Sequence, residues 1–248
     1  MKKWVWCLAL VVVATTGTAF AQDAAEEEAA PEPLWKGSLG LAYLDTSGNS
    51  ETTTFGLDFS TERRPTPWGL TITGRFNRSQ DDGVLTAERL FLGARARRAL
   101  GERWELFGGL SAEKDEFAGF DLLFLAETGV TYKALIGPKH FLAFDVGVTW
   151  TDEDRVEPQP DVNYLGALLG LAYEWKLSET ASLLETLRFY PNFDESSNWR
   201  LTSETALQAS VNSWLAVKLG YEIRYRNEPI GDNDDTDTTS TASVVFSF

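Results

Sequence analysis

The sequence predicts an all-β protein, a transmembrane antiparallel up-and-down β-barrel of about 12 strands. Three observations predict it. The chain opens with an export signal. Apolar residues then recur with period two from Trp35 to the C-terminus. Aromatic residues gather at both ends of the alternating segments.

Composition narrows the function classes. The 248 residues carry a net charge of −15, which argues against a nucleic-acid partner, since that needs a basic face. One Cys excludes a disulfide framework and a multi-cysteine metal site. One His removes most catalytic triads and most histidine metal sites. At 43% hydrophobic and 24% charged, the chain is too apolar for global disorder and too polar for a bundle of membrane helices.

The elements follow in order. Lys2 and Lys3, an apolar run from Trp4 to Val13, and the small-residue ending Ala19-Phe20-Ala21 make residues 1–21 a signal peptide, cleaved after Ala21. The apolar run is too short for a membrane anchor. Cys7 lies inside it, so the mature chain has no Cys, and loss of Lys2 and Lys3 takes its charge from −15 to −17. Residues 22–33, QDAAEEEAAPEP, lack an apolar face and read as a flexible acidic tail. Residues 34–248 remain for the barrel.

Strands are expected near 35–45, 51–62, 68–79, 86–99, 103–113, 120–133, 140–152, 163–175, 181–190, 199–210, 214–226 and 237–248. In the third, Trp68, Leu70, Ile72 and Phe76 oppose Thr71, Thr73, Arg75 and Asn77. In the seventh, His140, Leu142, Phe144, Val146, Val148 and Trp150 oppose Asp145, Gly147, Thr149 and Thr151. The eighth places Leu165, Ala167, Leu169, Leu171, Tyr173 and Trp175 on one face. The ninth alternates least, with Glu185 beside Leu187 on one face and Leu184 beside Arg188 on the other. The eleventh alternates most cleanly, Leu215 to Tyr225 against Lys218, Gly220, Glu222 and Arg224.

Connections alternate in length. Those at 63–67, 100–102, 134–139, 176–180 and 211–213 are short, whereas 153–162, 191–198 and 227–236 are longer, polar and mostly acidic. The connection Thr46–Ser50 is a tight exception on the long side. Short periplasmic turns and long outer loops are the layout of an outer-membrane barrel. Trp35, Trp68, Trp104, Trp175 and Trp214 fall at one end of their strands, and Tyr43, Trp150, Trp199 and Tyr225 at the other. Two rows of amphipathic rings describe two interface girdles. A soluble periplasmic β-sandwich binding module would also alternate, but it needs neither two girdles nor strands this long.

The chain ends Ser243-Val244-Val245-Phe246-Ser247-Phe248. A terminal Phe on an alternating strand is similar to the signal read by the barrel assembly machinery, so that machinery and outer-membrane lipid are the expected partners.

The segment Trp35-Lys36-Gly37-Ser38-Leu39-Gly40-Leu41, followed by Ser47-Gly48-Asn49-Ser50-Glu51-Thr52, resembles the opening of the YdiY-like family. Its members are known as salt-induced outer-membrane proteins and carry domain of unknown function 481. The resemblance implies an outer-membrane barrel over residues 35–248 and brings no catalytic residue or cofactor.

The remaining residues bound the chemistry. A lipid-active enzyme of the outer leaflet needs a base beside its nucleophile. The one histidine, His140, opens a strand on the lipid side at the periplasmic end, where an interfacial ring belongs. No catalytic or metal-ligating residue is expected. Asp232-Asn233-Asp234-Asp235-Thr236-Asp237 begins like a calcium loop, but Asp237 stands where the turn glycine belongs and Ser243 where the bidentate glutamate belongs, so it reads as a solvated acidic loop. The inward face carries both signs: Arg75, Arg89, Arg95, Arg97, Lys218 and Arg224 with Asp58, Glu113, Glu127, Asp145, Glu204 and Glu222. These suit a polar pathway that sorts solutes. They equally suit a salt-bridged filling that satisfies the interior. Inward glycines, Gly129 and Gly147 among them, would either hold a lumen open or make room for long side chains opposite. The expected function is a narrow passive channel or a structural envelope protein.

Overall fold

The computed structural model describes residues 34–46 and 52–248. The expected signal peptide 1–21, the expected acidic tail 22–33 and, beyond Thr46, the first connection lie outside the described residues.

Twelve antiparallel strands close into one barrel, each paired with its neighbours in sequence. They are β1 (Trp35–Thr46), β2 (Thr52–Arg63), β3 (Trp68–Asp81), β4 (Val84–Ala99), β5 (Trp104–Asp115) and β6 (Phe120–Ile136). The others are β7 (His140–Arg155), β8 (Val162–Lys176), β9 (Ala181–Pro191), β10 (Trp199–Ser210), β11 (Leu215–Arg226) and β12 (Thr236–Ser247). Closure follows from the backbone: an open edge in hydrocarbon would leave N–H and C=O groups without partners, at several kcal/mol each. The seam pairs Ser38 with Ser247 through Leu41 with Val244. Beyond it, the Gly37 N–H donates to the Phe248 carbonyl at 2.8 Å and the Phe248 N–H to the Gly37 carbonyl at 3.0 Å.

Alternation sorts side chains between two faces. Outward stand Leu92, Leu110, Val146, Val148, Leu165 and Leu219, all exposed. Trp68, Trp104, Trp175 and Trp214 ring the end with short turns, and Trp150 and Tyr43 stand at the end with the loops. An apolar belt between two aromatic rings is the wall of a membrane-spanning barrel. His140 sits in the turn-end ring, stacked with Tyr173 and Trp175, its Nδ1 2.9 Å from the Tyr173 hydroxyl.

Several strands run further than their periodicity suggests. β3 and β4 leave only Asp82 and Gly83 between them, in place of the expected connection 80–85. Both residues have positive φ, 48° and 76°, as a type I′ hairpin requires, and Asp-Gly is a favoured pair for it. β7 runs on through Glu153 to Arg155, so the expected loop 153–162 shrinks to residues 156–161. Glu153 belongs to the strand because Arg155, Tyr164 and Arg226 all hold its carboxylate inside the barrel.

Connection 227–235 is not wholly solvated, as its acidic sequence suggests. Ile230 is 4% exposed and packs on Phe120, Leu123 and Leu125 of β6. The acids Asp232, Asp234 and Asp235 stay exposed around it. Beside this contact a short 3-10 turn, Glu116–Ala118, joins β5 to β6 and ends on Gly119 in the left-handed conformation.

Candidate functional site

The candidate site is the barrel interior. Its anchor is made of small residues. Gly129 on β6 and Gly147 on β7 are register partners, and Phe107 on β5 pairs with Gly129. A Cβ on Gly129 would overlap the carbonyl of Val146 and stand 2.8 Å from the Phe107 ring; one on Gly147 would stand 3.1 Å from that ring. The two glycines leave room for the tip of the Phe107 ring, and the Arg95 guanidinium lies 3.7 Å above the Phe107 centroid. That contact is a cation–π interaction. It carries Arg95 to Asp145 at 2.8 Å and to Glu127 at 3.7 Å. Thr131 donates to the other Asp145 oxygen at 2.6 Å. Elsewhere, too, glycines make room for charge: Gly109 lies under Glu127 and Gly170 beside Asp145.

A second cluster crosses the lumen. Arg75 on β3 donates to Asp58 on β2 at 2.8 Å and reaches Glu204 on β10 at 3.0 Å and Glu222 on β11. Arg89 on β4 joins Glu222 at 2.5 Å to Glu113 on β5 at 2.8 Å. Arg224 continues from Glu113 at 3.0 Å to Asp115 at 2.9 Å, and Lys218 holds Glu204 at 2.8 Å. β3 and β4 thus meet β10 and β11 through side chains alone. Removing one member of a buried ion pair costs far more than the intact pair gains. The cluster therefore fixes geometry more than it adds stability.

Towards the turns, Arg97 pairs with Glu62 and donates to Thr71 at 3.0 Å. Lys133 holds the buried Glu105 at 2.5 Å. Towards the loops, Arg226 forms a two-bond fork with Glu153 at 3.0 and 3.1 Å, and the Tyr164 hydroxyl donates to the same carboxylate at 3.0 Å. Arg75, Arg89 and Arg224 stand in the crossing cluster, with Glu204, Glu222 and Lys218. Arg95, Glu127 and Asp145 stand apart from it, and Arg97 lies nearer the turns. Phe248 is at the seam, bonded through its backbone to Gly37, and it is exposed.

The sequence reading omitted Glu62, Glu105, Lys133, Glu153, Arg188, Arg200 and Arg226. Strict alternation from Leu123 along β6 leads to Lys133, and from Asp145 along β7 to Glu153. Arg188 was obscured by the weak pattern of β9.

The charges do not fill the barrel. Beside the crossing cluster runs a cavity of about 1020 Å³. Its walls extend from Ser38, Glu62, Glu105 and Lys133 near the turns to Phe117, Ile230 and Asp232–Asp235 near the loops. Among the described residues, no group of three or more His, Cys, Asp or Glu side chains is arranged to hold a metal ion.

The fold has solved counterparts. The structure of the NanC porin aligns at a TM-score of 0.51 and 10% identity, covering 86% of this chain and 97% of that one. An outer-membrane channel from Pseudomonas putida F1 aligns at 0.52 and 13% identity, covering 92% and 100%. At such identities the likeness is one of fold. In sequence, the uncharacterized protein YdiY of Escherichia coli (strain K12) is 24% identical over 225 residues, covering 90% of this chain and 86% of its own. Residues 39–248, nearly the whole barrel, match the family described as protein of unknown function, DUF481, and the chain belongs to that family.

Proposed function

We propose that the protein is a narrow passive channel of the bacterial outer membrane, with its short turns in the periplasm and its long loops outside. The observation that carries this reading is the cavity of about 1020 Å³, whose walls carry charged groups among apolar ones from the turn end to the loop end. Twelve strands lie between barrels filled by side chains and the wide sixteen-stranded porins, so the path is narrow. The crossing arginine cluster narrows it further, and both signs of charge on its wall offer small polar solutes hydrogen bonds in place of water. Residues 1–21 deliver the chain across the inner membrane, and Phe248 presents the last strand to the assembly machinery. Single-channel recording tests the pore directly.

A further inference from the structure

The lumen arginines are not equivalent. Eight of them line the cavity. Six, Arg75, Arg89, Arg95, Arg97, Arg224 and Arg226, have a carboxylate oxygen at 3.0 Å or closer. Arg188 and Arg200 do not. Arg188 has only Glu127, at 4.0 Å, and the Tyr190 hydroxyl, at 3.5 Å. Arg200 has no carboxylate within ion-pair distance among the described residues. One of its nitrogens reaches Thr151 at 3.4 Å, and its Nε, like those of Arg95 and Arg97, is buried with no hydrogen-bond partner.

These two residues are neighbours. Arg200 pairs in register with Tyr190, and Arg188 pairs with Thr202, so the arginines are diagonal on one inward face. Diagonal positions lie about 7–8 Å apart. Tyr190 stands between them, the Arg200 guanidinium 5.4 Å from its ring centroid. Its ring is backed by the cluster of Phe120, Leu123, Leu125 and Ile230, which fixes its position. All three residues face the cavity.

We propose that Arg188, Tyr190 and Arg200 form a lumenal subsite for an oxyanion, the carboxylate or phosphate group of a solute in transit. An unpaired buried guanidinium N–H is costly. A carboxylate or phosphate answers it with two parallel hydrogen bonds, and the Tyr190 hydroxyl supplies a third donor. Of the nearby carboxylates, Glu113, Asp145 and Glu153 are already held by Arg89, Arg95 and Arg226. Glu127 is the one that faces Arg188, and at 4.0 Å it lies beyond hydrogen-bonding distance, with that oxygen buried and unpartnered. Access to the subsite rests on the channel reading, whereas binding can be measured without conduction.

The test uses the full barrel refolded in detergent and titrated calorimetrically with sodium gluconate and, separately, with inorganic phosphate, both against a chloride background. Wild type binds at least one probe saturably, and which one it binds identifies the source of the oxyanion. The variant Arg188→Gln/Arg200→Gln weakens that binding about tenfold or more. The control Arg78→Gln/Arg98→Gln, which removes two outward arginines, binds as wild type does. If the glutamine variant fails to fold, Arg188→Lys/Arg200→Lys replaces it; that variant keeps the charge but loses the fork, and it too binds more weakly. No saturable binding by wild type, or unchanged binding by the folded variant, overturns the proposal. A barrel that binds without conducting refutes the channel and leaves the subsite. A barrel that conducts without binding does the reverse.

Discussion

Gly147 decides where Arg95 stands. With no Cβ at Gly147 or Gly129, the tip of the Phe107 ring reaches the wall, and Arg95 lies on Phe107. Gly147→Val would push a branched side chain into the Thr128 carbonyl and the Phe107 ring. Overpacking of this kind costs about 1–3 kcal/mol. The expected result is a lower urea midpoint for unfolding from lipid vesicles with an unchanged slope; an unchanged midpoint would mean that the ring does not rest there. The residue scale also marks what the sequence could and could not supply. Period two puts Arg75, Arg95, Glu127, Asp145 and Glu222 on one face, because alternation is local. It says nothing of Arg75 meeting Glu222, 147 positions away, because only closure brings β3 to face β11. Phe107, Arg188 and Arg200 were missed for related reasons. An inward Phe looks like a break in pattern until two facing glycines explain it, β9 presents no clean contrast between its faces, and Arg200 stands at the very start of β10, where the alternation has barely begun.

At the scale of elements, the hairpin between β3 and β4 was written in the sequence as Asp82-Gly83, although hydrophobic periodicity alone spread it over residues 80–85. Turn chemistry is a sharper signal than periodicity at strand ends, where apolar contrast fades above the membrane belt. Gly83 has φ 76° and no heavy atom within 4 Å of a built Cβ, so its constraint is backbone conformation and not space. Gly83→Val therefore costs about 1–2 kcal/mol, the penalty of the left-handed region for a residue with Cβ. Gly83→Asn, which tolerates that region, costs less. Equal stability of the two variants in vesicle refolding would contradict the type I′ assignment. Connection 227–235 teaches the opposite lesson. Its acids pointed to solvent, and they are in solvent, but one apolar residue among them was enough to draw the segment onto β6.

For the whole molecule, strand number, up-and-down order and the two girdles were all legible, because a bilayer imposes the same pattern on every strand. The β1–β12 seam was legible only as a necessity. It registers four residue pairs, from Ser38–Ser247 to Leu41–Val244, against twelve between β1 and β2. Phe248 extends the seam by two backbone hydrogen bonds to Gly37. The residue is 74% exposed, and its ring rests on the barrel only at Gly37 among the described glycines, so it adds little packing there. Deleting Phe248 removes the terminal aromatic and leaves the registered seam in place, so it tests the proposed assembly role. The expected outcome is a severalfold loss of protein from the outer membrane in cells, with near-normal refolding in detergent. Normal outer-membrane levels would refute the assembly role. Failure in both settings would make the seam itself dependent on those two hydrogen bonds.

The central claim is that the cavity beside the crossing cluster is a conducting path. Single-channel recording of the refolded barrel in a planar bilayer, in potassium chloride, tests it most directly. The account predicts small, discrete current steps for wild type and larger steps for Arg75→Ala, which removes the side chain joining Asp58 to Glu204 and Glu222 across the lumen. A folded, inserted barrel that passes no current in either form would contradict it, and the charged interior would then be a filling that holds the walls together.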